Sequence, residues 1–134
     1  MIYKRLGATL LAAILLAGCG TKNLSHSCLP IKAPVEVILA RETPMDRGIY
    51  TYYELEPTYG RPADWRLPAG TPLSIKKITQ EWAIDTSGQS IEVFGTLPDG
   101  KDFKYAWGRG KTLQIAPWES PSTPATRTVD CSNS

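Results

Sequence analysis

The chain has 134 residues, with 15 lysines and arginines against 13 acids, 42% hydrophobic residues, 11 glycines and 11 prolines. That length and mix suit one small domain with an appended segment. The formal net charge is only +2, and the longest basic cluster is Lys76-Lys77. The basic footprint of a nucleic-acid binder is absent, and so is a polybasic membrane patch.

Lys4 and Arg5 form a short positive region, and an uncharged run of Leu, Ala, Ile, Gly and Thr follows from Leu6 to Ala17. At about 1.5 Å per residue that run reaches about 18 Å, short of a ~30 Å hydrocarbon core. It therefore reads as the apolar helix of a secretory signal rather than a transmembrane span. The run ends at Leu16-Ala17-Gly18-Cys19, which resembles the lipobox of bacterial lipoproteins at all four positions. The resemblance covers the signal region alone. It implies a diacylglycerol thioether on Cys19, cleavage before Cys19, and acylation of the new amino terminus in Gram-negative bacteria. Two or three acyl chains anchor stably, at about 0.8 kcal/mol per buried CH₂. Gly20, where an Asp would favour inner-membrane retention, implies the outer membrane with the domain in the periplasm.

The expected organisation is a cleaved signal over 1–18, a lipidated tether over 19–27, and a single β-rich domain with an irregular tail over 28–134. Loss of Lys4 and Arg5 leaves 13 basic and 13 acidic residues and a net charge of zero. Of the three cysteines, Cys19 is taken by lipid. Cys28 and Cys131 are expected to pair in an oxidising compartment, with two buried free thiols as the alternative. The sole histidine, His26, lies close to Cys28, and no Cys-x-x-Cys spacing occurs. No metal site or cofactor is expected.

Pro30 and Pro34 break any helix near the start of the domain. Residues 35–40 read as a strand or as one to two helical turns, and the alternation of Val35, Val37 and Leu39 weakly favours the strand. Ile49 to Leu55 is clearer: Ile49, Thr51, Tyr53 and Leu55 on one side, Tyr50, Tyr52 and Glu54 on the other. Residues 57–70, with three prolines and two glycines, read as a loop. A strand begins at Leu73, with Leu73 and Ile75 inward. Its pattern slips at Lys76-Lys77-Ile78, which predicts a bulge or strong twist. It continues through Trp82 and Ile84 to a turn at 86–89. Ile91, Val93 and Leu97 mark the return strand. Leu97-Pro98-Asp99-Gly100-Lys101 is the best turn in the chain. Phe103, Tyr105 and Trp107 then alternate as core, Gly108-Arg109-Gly110 turns again, and Thr112 to Ala116 closes a short strand. From Trp118 onward an irregular tail is held by Cys131.

The connections are too short for crossover helices. The expected fold is mainly β, a small antiparallel barrel or sandwich. The 73–116 meander is similar to an SH3-like barrel in strand length and turn spacing.

No nucleophile elbow, phosphate-binding glycine loop, zinc helix or calcium loop occurs. Gly108-x-Gly110 lacks the third glycine of a nucleotide site. A serine triad would have to use His26 in the tether. Glu54 with Glu56 and Asp99 with Asp102 are the candidate carboxylate pairs, and solvated surface is their competing reading. Tyr50, Tyr52, Trp65 and Arg66 are the candidate binding surface, since aromatics and Arg are favoured at interfaces. The competing reading is that Tyr50 and Tyr52 lie under a second layer. Three functions follow. The first is a non-catalytic, lipid-anchored module that binds an envelope protein or peptidoglycan. The second is an inhibitor or immunity lipoprotein against a lysozyme or toxin, although the Ser-Gly-x-x-Tyr loop of lysozyme inhibitors is not matched by Ser87-Gly88-Gln89-Ser90. The third is a hydrolase using paired acids.

Overall fold

Three long strands carry the architecture. A computed structural model describes residues 20–48, 52–57, 63–83 and 88–131. The expected signal helix, Cys19, and Ile49, Tyr50 and Thr51 lie outside them. In chain order the strands are β1 (Thr21–Asn23), β2 (Val35–Ile38), β3 (Thr43–Arg47), β4 (Tyr53–Leu55) and β5 (Trp65–Leu67). They continue with β6 (Pro72–Ala83), β7 (Gly88–Thr96), β8 (Asp102–Arg109), β9 (Thr112–Gln114) and β10 (Thr126–Thr128). β6, β7 and β8 form an antiparallel meander. The free edge of β6 takes β2 along one half and β1 along the other. The free edge of β8 takes β4 and then β9. β3 and β5 extend the first branch, and β10 extends the second.

The all-β class is the one the alternation indicates. Two finer features differ from the expectation. The sheet is open, with its ladder ending in short edge strands, and does not close into a barrel. The β4–β8 pairing is parallel, because β4 reaches the sheet through the β3 hairpin and not directly from β8.

The core is the inner face of the meander. Leu73, Ile75, Ile78, Ile91, Val93, Phe103, Tyr105 and Trp107 are all at most 1% exposed. The slip at Lys76-Lys77 is a bulge between Ile75 and Lys77, which returns Ile78 to the core. The 97–101 turn closes with the Gly100 N–H donating to the Leu97 carbonyl at 2.9 Å, and Gly100 takes φ +87°, a left-handed conformation natural to glycine. Gly95 has no room for a side chain: a Cβ there would meet the Ser74 carbonyl and come within 2.8 Å of the Phe103 ring.

Three segments are more ordered than their composition suggests. Residues 21–23 of the expected tether are β1, paired with β6, and Leu24 is fully buried. β5 lies within the proline-rich 57–70 stretch, an edge strand stopped by Pro68. The tail carries β10 and packs Trp118 edge-on against Tyr105 and Trp107, with centroids 5.3 and 5.5 Å apart. Cys28 and Cys131 form the expected disulfide across 103 residues. It joins the segment after β1 to the segment after β10.

Candidate functional site

Each long strand buries one face, so its alternate residues build the other. On β7, Ile91 and Val93 go to the core, leaving Glu92 and Phe94 on the outer face. On β8, Phe103, Tyr105 and Trp107 go in and Lys104 and Ala106 go out. On β4, Leu55 is buried and Tyr53 packs on the core, leaving Glu54 outward. The ladders set these residues side by side: Glu54 beside Lys104, Lys104 beside Phe94, and Ala106 beside Glu92. On the other edge of β7, Thr79 stands beside Glu92 and Lys77 beside Phe94. Four strands thus assemble one continuous polar and aromatic face.

Two clefts open on it. The acidic cleft, about 170 Å³, is lined by Glu54, Leu55, Glu56, Pro57, Glu92, Lys104 and Ala106. Lys104 Nζ lies 3.9 Å from Glu54 Oε1. Glu56 is held by Arg41, whose Nε donates to Oε1 at 3.0 Å. Glu92 is only 8% exposed. Ser90 Oγ donates to Glu92 Oε1 at 2.7 Å, and Glu92 Oε2 is buried with no hydrogen-bond partner among the described residues. Burial is the main force pushing the Glu92 carboxyl above its ordinary value of 4.5. Glu81 and Glu54 push the same way, against the Ser90 hydrogen bond and the Lys104 charge. The cleft therefore holds one carboxyl that retains its proton longer than a free glutamate and one that stands beside an ammonium.

The aromatic cleft, about 260 Å³, is lined by Tyr52, Lys76, Lys77, Phe94, Gly95, Asp102 and Phe103. Tyr52 meets Phe94 edge-on, with centroids 5.8 Å apart, and Lys77 Nζ sits 4.8 Å from the Phe94 centroid. A planar or apolar group can stack here while its polar substituents meet lysine or Asp102.

The residues singled out from sequence divide between places. Tyr52 lies on this face, half-buried against Phe94. Tyr50 lies outside the described residues. Trp65, 45% exposed, leans edge-on against Tyr53 at 5.6 Å, and Lys101 Nζ lies 5.4 Å from the Tyr53 ring. Arg66 pairs with Glu42 at 3.2 Å on the exposed edge. Trp65 therefore sits with Tyr53 and Met45 on the core side of the sheet, whereas Arg66, the next residue of β5, points to the opposite face, so the two do not form one patch.

The proposed acid pairs change as well. Glu56 has left the strand, with φ +49°, and turns to Arg41. Both members of the first pair line the acidic cleft, but each is matched to its own cation. The carboxyl brought in without one is Glu92. Asp99 accepts the Lys101 N–H at 3.0 Å and pairs with Lys101 Nζ at 3.7 Å, whereas Asp102 lines the aromatic cleft. Glu92, Phe94 and Lys104 were legible only as positions out of phase with the core pattern, Phe94 being an aromatic at such a position. Among the described residues, no group of three or more His, Cys, Asp or Glu is placed to hold a metal ion.

No protein-family model matches the chain, and no curated protein or solved structure matches it either.

Proposed function

We propose that the mature protein is a lipid-anchored envelope lipoprotein whose β domain binds a partner through the outer face of the β4–β8–β7–β6 sheet. The anchor reading rests on Leu16-Ala17-Gly18-Cys19. The observation that carries the binding reading is the Tyr52–Phe94–Lys77 cluster next to the acidic cleft. An aromatic at a position that alternation sends away from the core contributes little to that core, and aromatics are enriched where surfaces recognise partners. The partner class is an envelope protein or peptidoglycan. With β1 beginning at Thr21, only Gly20 separates the lipidated cysteine from the sheet, a span of at most about 7 Å. The domain then works against its own membrane, and a partner must come within a domain's width of the lipid surface.

Two measurements test this. Labelled palmitate incorporates into the wild-type protein, and Cys19→Ser abolishes incorporation and releases the domain from the membrane fraction. Pull-down from crosslinked envelopes recovers a specific partner, and Phe94→Ala or Tyr52→Ala reduces recovery while the Trp65→Ala variant does not. Equal recovery with all three variants removes the outer-face reading.

A second reading has one observation in its favour. Burial raises the Glu92 carboxyl above its ordinary value while Glu54 stands beside Lys104, the unequal pairing of carboxyls that acid–base hydrolysis uses. Glycan or peptide turnover by the purified domain, lost in both Glu92→Gln and Glu54→Gln, is its test. Absence of turnover across envelope substrates removes it.

A further inference from the structure

The β6 bulge turns two consecutive lysines to one side of the sheet. Ile75 and Ile78 are fully buried, and Lys76 and Lys77 between them are both exposed. A regular strand sends one of two neighbours into the core. The extra residue between Ile75 and Lys77 lifts that constraint. Both lysines line the aromatic cleft with Tyr52, Phe94 and Asp102. Neither has an ion pair among the described residues, whereas Lys104, across Phe94 on the next strand, has Glu54. Lys77 Nζ lies over the Phe94 ring at 4.8 Å, a contact that leaves ammonium N–H groups for an anion. The cleft thus presents two cations without ion pairs, one carboxylate, and a wall of two half-buried rings set edge-on at 5.8 Å.

That combination selects among ligands. A wholly anionic group such as phosphate would meet the lysines, gain nothing from the rings and be repelled by Asp102. The acidic side chain of a protein would likewise use the lysines alone. An aromatic acid would use the rings and lysines and leave Asp102 without a donor. A pyranose carrying one carboxylate uses all three: its C–H face packs on Phe94 and Tyr52, a hydroxyl or amide N–H donates to Asp102, and its carboxylate meets Lys76 and Lys77. The cleft volume of about 260 Å³ is below the ~300–1,000 Å³ of sites that enclose a drug-sized ligand, and suits a single sugar residue with one substituent.

We infer that the aromatic cleft receives an acidic sugar residue, of the kind carried by the glycan strands of peptidoglycan, with its ring on Phe94 and Tyr52 and its carboxylate between Lys76 and Lys77. The inference rests on the outer-face reading and deepens it by choosing the glycan over a protein partner. The rings supply contact area, and the two lysines and Asp102 supply the selectivity.

The test titrates N-acetylmuramic acid into the mature chain carrying Cys19→Ser, with its disulfide intact, and follows amide NMR. N-acetylglucosamine serves as the same ring without the carboxylate, and Nα-acetyl-glutamic acid amide as an acidic side chain without the ring. N-acetylmuramic acid shifts the amides of Phe94, Gly95 and Asp102, and N-acetylglucosamine binds at least tenfold more weakly. With Lys76→Gln and Lys77→Gln combined, the two sugars bind alike, and Phe94→Leu weakens both. Equal binding of the two sugars to the wild-type cleft, binding of neither, or full N-acetylmuramic acid binding to the folded double-lysine variant overturns the inference. A glutamate probe that binds as tightly as the acidic sugar also overturns it, and assigns the lysines to an acidic protein partner. The outer-face reading fails separately, through crosslinked partner recovery that Phe94→Ala and Tyr52→Ala leave unchanged. If that recovery falls while N-acetylmuramic acid does not bind, the surface stands and the glycan assignment is wrong.

Discussion

Glu92 on β7 stands directly across the ladder from Thr79 on β6, and each keeps a buried oxygen without a hydrogen-bond partner among the described residues. Both belong to the sheet face turned away from the core. A free protein folded for stability alone would place apolar residues at such sites or pair them.

The Glu92 carboxyl makes stability pH-dependent in a defined direction. Its folded value is raised above 4.5, mainly by burial. The native state therefore binds its proton more tightly than the unfolded chain does. Its contribution is fully present below about 4.5 and is lost as pH rises through the folded value. Glu92→Gln should remove this loss. Urea midpoints of the variant and wild type should coincide at acid pH and separate, in favour of the variant, toward neutrality.

The Cys28–Cys131 bridge closes a loop across 103 residues. For that span the chain-entropy account gives about 4–5 kcal/mol. Cys28→Ser with Cys131→Ser should lower the unfolding free energy by an amount of that order, and reducing agent should have the same effect on the wild type and none on the double variant.

Gly95 sets the closeness of β6 and β7 above Phe103. Its backbone has no unusual φ, so the restriction is space: the Ser74 carbonyl oxygen is the nearest obstacle to a Cβ, and Phe103 Cε1 and Cζ follow at 2.8 and 2.9 Å. Gly95→Ala should destabilise by about 1–3 kcal/mol, the usual cost of overpacking. Gly100→Ala, at a turn with open space but φ +87°, loses its stability through backbone strain and leaves the core NMR shifts of Phe103 and Trp107 unchanged.

Glu119 holds the tail to the core. Its Oε1 accepts from Trp107 Nε1 at 3.3 Å, from the Ala116 N–H at 2.8 Å, and from Arg127, whose side chain is 19% exposed. Removing one partner of a largely buried pair costs about 3 kcal/mol or more. Arg127→Ala should lower the urea midpoint correspondingly and quench or shift Trp107 and Trp118 fluorescence, since Trp107 shares the Glu119 carboxylate with Arg127 and meets Trp118 edge-on.

How far the sequence carries is clearest in the meander. Alternation places Leu73, Ile75, Phe103, Tyr105 and Trp107 in the core, the two lysines break the phase where the bulge lies, and Pro-Asp-Gly marks the turn. Each is a local signal that tertiary context reinforces. β3, β5 and β10 were not legible. Thr43–Arg47 contains Pro44 and two charged residues, and only its pairing on both edges makes it a strand. β5 and β10 are three residues long, too short for a period to register. The site was half legible. Tyr52, Glu54 and the two-cysteine bridge could be named, because strand parity and cysteine arithmetic act locally. Glu92 and Lys104 acquire their meaning from neighbours on other strands, and the parallel β4–β8 pairing that brings Glu54 to Lys104 depends on a register no single segment encodes.

The central claim is that the outer face meets a partner in the envelope. A photo-crosslinking amino acid installed at Phe94 in living cells tests it most directly, with the exposed Lys32, in the segment before β2, as the reference position. The account predicts a discrete crosslinked species from position 94 that is absent from position 32 and disappears when Cys19→Ser releases the protein from the membrane. No adduct from position 94, or the same adducts from both positions, would contradict it.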